Sequence, residues 1–184
     1  MKSRVIDLLN SRKATRAISP EPLPDKTVNA LIEAARLTPS CYNNQPWRYI
    51  FMRSPEALEK GRSAIAEGNR IWADKAPLLV AVYSKPEDDC LMKDGRAYHQ
   101  FDAGMSVMNL MLAATELGLV ARPIAGYDPA KIKQLFSLAD ADQVICMIIV
   151  GKPAADDSYL PEKVRSIDKQ PRQRKPASEI AKIL

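Results

Sequence analysis

Glycine is scarce and scattered. The seven glycines, Gly61, Gly68, Gly95, Gly104, Gly118, Gly126 and Gly151, never cluster in the 184 residues. Neither G-x-G-x-x-G nor a Walker A loop occurs, which removes the Rossmann dinucleotide turn and the P-loop. G-x-S-x-G is missing too, and with it the strained serine elbow of a hydrolase. His99 is the single histidine. A His-rich metal site is therefore excluded, and a His-based triad would have to use His99, which is expected at the surface or at a helix start. The cysteines, Cys41, Cys90 and Cys146, are odd in number and widely spaced, with no C-x-x-C. Neither a disulfide framework nor a zinc knuckle is expected, and no metal site is assigned.

No apolar run approaches the roughly 20 residues of a membrane helix. The opening residues, Met1 to Asp7, contain no signal-peptide apolar core. These absences predict a cytoplasmic protein without a membrane partner. Between Glu162 and Leu184 there is no aromatic residue, so the basic tail lacks the stacking groups of a nucleic-acid surface, and no nucleic-acid partner is expected. The acidic pairs Asp88-Asp89 and Asp140-x-Asp142 read as solvated turns.

What is present is ordinary for one globular domain: 46% hydrophobic and 27% charged residues. The net charge of +5 is unevenly placed, because the stretch from Glu162 to Leu184 holds seven basic and three acidic residues. Arg12, Lys13 and Arg16 form a second basic cluster. Such clusters are either solvated faces or anion sites. Helical spacing appears over residues 4–10, from Asp25 (a candidate cap) to Leu37, from Ser54 or Pro55 to about Glu67, and from Pro129 to Phe136. Strands are expected over 47–52, 78–83 and 144–150, with a short one over 122–125. The helix from Asp102, a candidate N-cap, to Gly118, a candidate C′ residue, is apolar nearly all round. It demands burial on all sides, more readily met by a second subunit. The pattern is α+β, with central strands flanked by helices.

Three segments carry candidate chemistry. Ser11 to Ile18 places three cations within five residues, suited to a phosphate or an electron-rich ring. Pro39 to Trp47 packs small and amide side chains between a helix and a strand, and amides both donate and accept. Arg122 to Asp128 brackets backbone between a proline and a glycine, where a ligand can approach closely. Cys41 has no basic neighbour to activate it and reads as a packing residue. Trp47 is assigned to the core.

In order along the chain stand an Arg-rich opening, P-S-x-x-N-x-Q-P-W (39–47), a buried helix ending in L-G-L, P-I-x-G-Y-D (123–128), a strand ending in Val-Gly-Lys-Pro, and a late R-x-R-K-P (172–176). This ordered set resembles the FMN-dependent nitroreductase superfamily over nearly the whole chain. The resemblance implies a nitroreductase-like α+β fold, with a central mixed sheet flanked by helices, in a domain-entwined homodimer. It implies one domain over 1–184, with 152–184 an extension that wraps the partner subunit.

It further implies FMN as cofactor and NADH or NADPH as electron donor. Arg12, Lys13, Ala14 and Arg16 would hold the ribityl phosphate and the pyrimidine edge, and Arg172 and Arg174 would complete the phosphate site. Pro39, Ser40, Cys41, Asn43 and Gln45 would come from the other subunit, beside the ring. Asn69 would contact the ring, and Pro123, Ile124, Ala125 and Gly126 would pass its reactive edge. No side chain is expected to be catalytic, because flavin supplies the hydride chemistry. The implied activity is ping-pong reduction of nitroaromatics, quinones or similar small acceptors. Alternatives on the same fold are dehalogenation, flavin breakdown or enoyl reduction; a non-enzymatic flavin carrier or binding module is a third class. Two departures from the family pattern stand out: Ala125 where many relatives carry an acid, and Ala14 for a frequent serine. The link of about sixteen residues between Tyr83 and Gln100 is too short for an elaborate lid, and predicts an open pocket.

Overall fold

A computed structural model describes residues 3–184; the reading of Met1 and Lys2 as part of the chain's opening lies outside the described residues. The two most apolar segments form the centre of one sheet. Strand β2 (Leu78–Ser84) pairs antiparallel with β4 (Gln143–Gly151), β1 (Arg48–Met52) flanks β2, and β3 (Val120–Ile124) flanks β4, giving the order β1-β2-β4-β3. The α+β class is as expected. The sheet, however, is antiparallel at all three pairings rather than mixed. Pro123 sits in β3 at the sheet edge, where its missing N–H costs no ladder bond.

Side chains alternate across a strand, so a central strand with a helix layer on each face reads as an unbroken apolar run. Leu79, Ala81, Met147 and Ile149 enter one core, together with Met52, Leu58, Trp72 and Ile132. These come from α3 (Pro55–Ser63), α4 (Glu67–Ala73), α6 (Pro129–Leu135) and the neighbouring strand. Leu78, Val80, Val82, Ile148 and Val150 enter the other core, against Val28, Leu31, Leu110 and Ala114 of α2 (Asp25–Arg36) and α5 (His99–Glu116). Each fully buried aliphatic side chain contributes about 1.5–3 kcal/mol of transfer free energy.

Several boundaries move for local reasons. The helix expected to run to Glu67 stops at Ser63, because Ala64 O and Ala66 N bond to Asp128 N and Gly126 O, and the chain restarts as α4. Asp25 is the first helical residue of α2, behind a Pro24 cap. Helix α5 begins at His99, so Asp102 is not its N-cap; it lies buried in the first turn, and its carboxylate accepts from Cys41 N instead. At the far end the expectation holds: Gly118 has φ +71°, and Leu119 N returns to Ala114 O at 2.8 Å. Within one chain α5 buries Ala103, Ser106, Val107, Leu110 and Ala114, while Phe101 and Leu117 stand exposed.

The tail begins by returning to the body. Ile18 bridges Pro153, the Tyr159 hydroxyl accepts from Ile18 N at 3.0 Å, and α7 (Glu162–Lys169) lies beside the segment after α1 (Arg4–Ser11). Residues 171–184, including α8 (Ala177–Ile180), are exposed. Among the described residues no helix is long and apolar enough to cross a membrane.

Candidate functional site

The first basic segment and the tail meet. A groove of about 940 Å³ is lined by Arg12, Lys13, Ala14, Thr15, Arg16, Arg122, Asp168, Lys169, Arg172 and Arg174, with Asn10 and residues 167, 170 and 171 completing it. Seven of these side chains are basic and one is acidic. The elements bring them together from positions up to 162 residues apart: the loop after α1, the edge strand β3, the end of α7 and the segment beyond it. Arg172 and Arg122 are fixed by their own bonds. Arg172 donates to Leu9 O at 2.9 Å, to Asn10 O at 3.2 Å and to Arg12 O. Arg122 donates to Ala14 O and stacks its guanidinium over the buried Trp72 ring, 5.3 Å from the centroid.

This crowding has an electrostatic signature. Burial, then the charges of Arg172 and Arg174, push the Arg12 guanidinium below its ordinary value. Burial, then Arg16, push Arg122 down, with Asp168 opposing and Arg12 adding a smaller push. Cations that weaken one another in a half-buried groove are relieved by an anion. The donor set of guanidinium forks, a lysine and loop backbone suits a phosphate. A volume of this size accommodates a mononucleotide-sized ligand.

Asp168 was not anticipated. Its Oδ2 accepts from Arg16 N at 2.6 Å and from Thr15 Oγ1 at 3.4 Å, and its Oδ1 pairs with the Arg16 guanidinium. Arg16 is therefore tied to a carboxylate within the groove. The signal in the sequence was an acid isolated within a basic tail. Arg122 opened the third candidate segment, but neither it nor Lys169 was given a role toward the cofactor.

The second expected segment lies elsewhere. Pro39, Ser40, Cys41, Asn43 and Gln45 do not line the groove. They form a tight loop with Tyr42, Asn43 and Gln45 all at positive φ, held by Ser40 Oγ accepting from Gln45 N at 2.8 Å and by Gln45 Nε2 donating to Asn43 O at 3.1 Å. Tyr42 is 92% exposed at its tip. Trp47 is buried, as expected. Asn69, Pro123, Ile124, Ala125 and Gly126 make a third group: Asn69 Nδ2 donates to Gly126 O at 3.3 Å, Ile124 is buried, and Pro123 and Ala125 are exposed. The single chain thus unites the phosphate-type residues and leaves the other two sets apart from them.

Three readings are corrected. Cys41 is bonded to Cys90 in a disulfide, so it is more than a packing residue, and the expectation of no disulfide fails. Spacing along the chain could not reveal this pair, because the two cysteines are 49 residues apart and meet only when α5 docks beneath both loops. His99 does start a helix but is buried, its Nδ1 2.7 Å from Ser84 Oγ. Asp89 and Asp142 are buried rather than solvated; Asp142 accepts from Ala139 N at 2.7 Å.

Comparison with known proteins gives a consistent result. The profile of the Nitroreductase family matches residues 9–82 and 64–152. A Streptomyces griseus protein named NADH dehydrogenase/NAD(P)H nitroreductase is 26% identical over 176 residues, spanning 86% of this chain and 89% of its own. A crystal structure described as an oxidoreductase containing FMN superposes with a TM-score of 0.87 at 27% identity, over 98% of this chain and 92% of that one. A nitroreductase family protein from Clostridium difficile superposes with a TM-score of 0.79 at 26% identity, over 99% and 98%. The chain belongs to the nitroreductase family.

Proposed function

We propose that this chain binds FMN and works as an NAD(P)H-dependent reductase of nitroaromatics, quinones or similar small acceptors. The observation that carries the reading is the groove in which seven basic side chains, drawn from both ends and the middle of the chain, face one carboxylate. Arg12, Lys13, Arg172 and Arg174 would take the phosphate, with the Ala14 backbone beside it. Arg16 and Arg122 would face the electron-poor edge of the ring and stabilise negative charge developing there. FMN bound here would supply the two-electron hydride chemistry between a nicotinamide donor and the acceptor. The chain's own part is to hold, orient and electrostatically bias that group. A relative named NAD(P)H nitroreductase and a similar structure described as containing FMN support the assignment.

A homodimer forms part of this reading. Val5, Ile6, Ile32, Leu37, Phe101 and Leu117 are exposed on α1, α2 and α5 or at their ends, an apolar face that a second copy would cover. The same docking would bring Pro39, Ser40, Cys41, Asn43 and Gln45 of one protomer to the ring held by its partner, with Asn69 and residues 123–126 nearby. The tail over 152–184 would extend onto that partner.

An absorbance spectrum of the purified protein, taken before and after anaerobic NADH or NADPH, tests the reading. Flavin bands that bleach with either donor are expected, and steady-state double-reciprocal lines should run parallel. No flavin uptake on adding FMN would overturn the assignment; bands that persist with both donors would leave a flavoprotein with another reductant.

A further inference from the structure

On the face of the molecule formed by the 40–45 loop and the segment between β2 and α5, three oxygen- and sulfur-bearing side chains converge. Cys41 Sγ, Cys90 Sγ and a carboxylate oxygen of Asp89 all lie within 4.8 Å of one another. Asp89 is only 8% exposed, and its Oδ2 is buried with no hydrogen-bond partner among the described residues. A buried carboxylate oxygen left without a partner costs about 1–3 kcal/mol or more, so an unfilled acceptor on a carboxylate that lies beside two sulfurs calls for a cation or a donor.

The surroundings are already arranged as a supporting shell. Asp89 Oδ1 accepts from Cys90 N at 2.8 Å and from Asn44 Nδ2 at 3.2 Å, which orients the carboxylate and leaves Oδ2 free. Asn44 Nδ2 also lies 3.7 Å from Cys90 Sγ. Asp102 accepts from Cys41 N at 2.7 Å, fixing the loop that carries the first sulfur. Such outer contacts orient metal ligands in general. Arg48 pairs with the neighbouring Asp88, at 4.0 Å, and not with Asp89. Among the described residues, then, no ion pair neutralises the Asp89 carboxylate beside the two sulfurs.

We propose that Cys41, Asp89 and Cys90 form a reduction-gated site for a thiophilic divalent cation of the zinc class. In the oxidised chain the S–S bond occupies both sulfurs and the site is closed. A dithiol reductant breaks that bond through a mixed disulfide. Two thiols form on Cys41 and Cys90, and the reductant leaves as its own cyclic disulfide. The cation then displaces one proton from each thiol to solvent and takes a carboxylate oxygen of Asp89 as a third ligand, with water in the fourth position. Two sulfurs on a tetrahedral zinc-class ion stand about 3.8 Å apart, given metal–sulfur bonds of about 2.3 Å. The two Cα atoms, 6.2 Å apart, allow that opening by side-chain rotation. Exchange with an excess of the oxidised, cyclic-disulfide form of the dithiol runs the step in reverse: the Cys41–Cys90 bond re-forms, the reagent takes up the electron pair and two protons to become dithiol, and the cation is released. None of the three residues lines the basic groove of its own chain.

The test uses full-length holoprotein carrying Cys146→Ala, which removes the remaining thiol. It is reduced with a dithiol, desalted without oxygen and titrated with Co²⁺, the d–d bands being read at wavelengths beyond the flavin absorption. One Co²⁺ per chain with intense tetrahedral bands is expected from the reduced protein and none from the oxidised protein. Asp89→Asn should weaken uptake by at least about tenfold, the scale seen even for outer-shell changes, and Cys90→Ser should abolish the thiolate-type spectrum. Should those variants fold poorly, Zn²⁺ protection of Cys41 and Cys90 from alkylation in the reduced chain, counted by mass spectrometry, gives the same answer without them. Absence of Co²⁺ uptake by the reduced chain, bands unchanged in Cys90→Ser, or alkylation unaffected by Zn²⁺ would overturn the proposal.

Discussion

Arg16 gives both its backbone N–H and its guanidinium to the carboxylate of Asp168, across 152 residues of sequence. Both side chains are largely buried, at 20% and 10% exposure. The pair joins the loop after α1 to α7, and so closes one wall of the basic groove. Asp168→Ala should cost about 1–3 kcal/mol, because it strands a charge and a backbone donor together. Asp168→Asn, which can still accept from Arg16 N, should cost less. Urea melts of the two variants check the order.

Arg172 spans three backbone carbonyls, at Leu9, Asn10 and Arg12, with one guanidinium. Lysine cannot reproduce that fork. Both Arg172→Ala and Arg172→Lys should therefore loosen the C-terminal end of α1 and lower FMN affinity by at least about tenfold, the equivalent of about 1.4 kcal/mol. Flavin-fluorescence titration measures this directly. Equal affinity in Arg172→Lys and the natural chain would mean that charge alone matters at this position.

Salt should compete with the ligand. Arg12 and Arg122 are held below their ordinary values by burial and by neighbouring cations. An added phosphate relieves that repulsion, and screening weakens the gain. Inorganic phosphate is expected to raise the melting temperature of the flavin-free chain, with the shift shrinking as sodium chloride rises. Arg12→Ala should reduce the phosphate shift.

Gly151 ends β4 at a crowded point. A methyl group there would meet Ile18 Cγ2 at 2.5 Å and Pro77 Cδ at 2.9 Å, with Ser19 O at 3.4 Å. Ile18 is fully buried and Pro77 is a ring, so neither can swing away cheaply. Gly151→Ala is expected to destabilise by about 1–3 kcal/mol through overpacking. Gly68→Ala, where nothing lies within 4 Å, serves as the neutral control. Thermal melts of both variants separate the two cases.

Cys146 on β4 gives a pH signature. Burial raises its thiol from 9.0 to about 11. The folded state then holds the proton more tightly than the unfolded state. Its contribution is complete below the unfolded value and is lost as pH climbs toward 11. Stability should therefore fall across that alkaline window, and Cys146→Ala should flatten the fall. Iodoacetamide should leave Cys146 unmodified in the folded chain near neutral pH and label it in urea.

Much of this protein is set by local pattern. The unbroken apolar runs of β2 and β4 specify strands covered on both faces. Gly118 specifies a left-handed helix end, and the spacing over 129–135 a short amphipathic helix. These follow from side-chain periodicity and from the φ that only glycine adopts cheaply. The basic residues at 12–16 and 172–174 were legible as one site only through their ordered resemblance to a family, since charge clusters by themselves are as readily solvated.

Tertiary structure decided the rest, because it depends on which distant residues become neighbours. The Arg16–Asp168 pair, the placement of Arg122 over Trp72 and the meeting of Cys41, Asp89 and Cys90 each join segments tens to more than a hundred residues apart. No periodicity encodes such pairings. They arise when α5 and α2 close one face of the sheet, and when the tail returns along Ile18. Burial then converts Asp89, Asp102 and His99, ordinary polar residues in sequence, into groups whose hydrogen bonds must be met inside the protein.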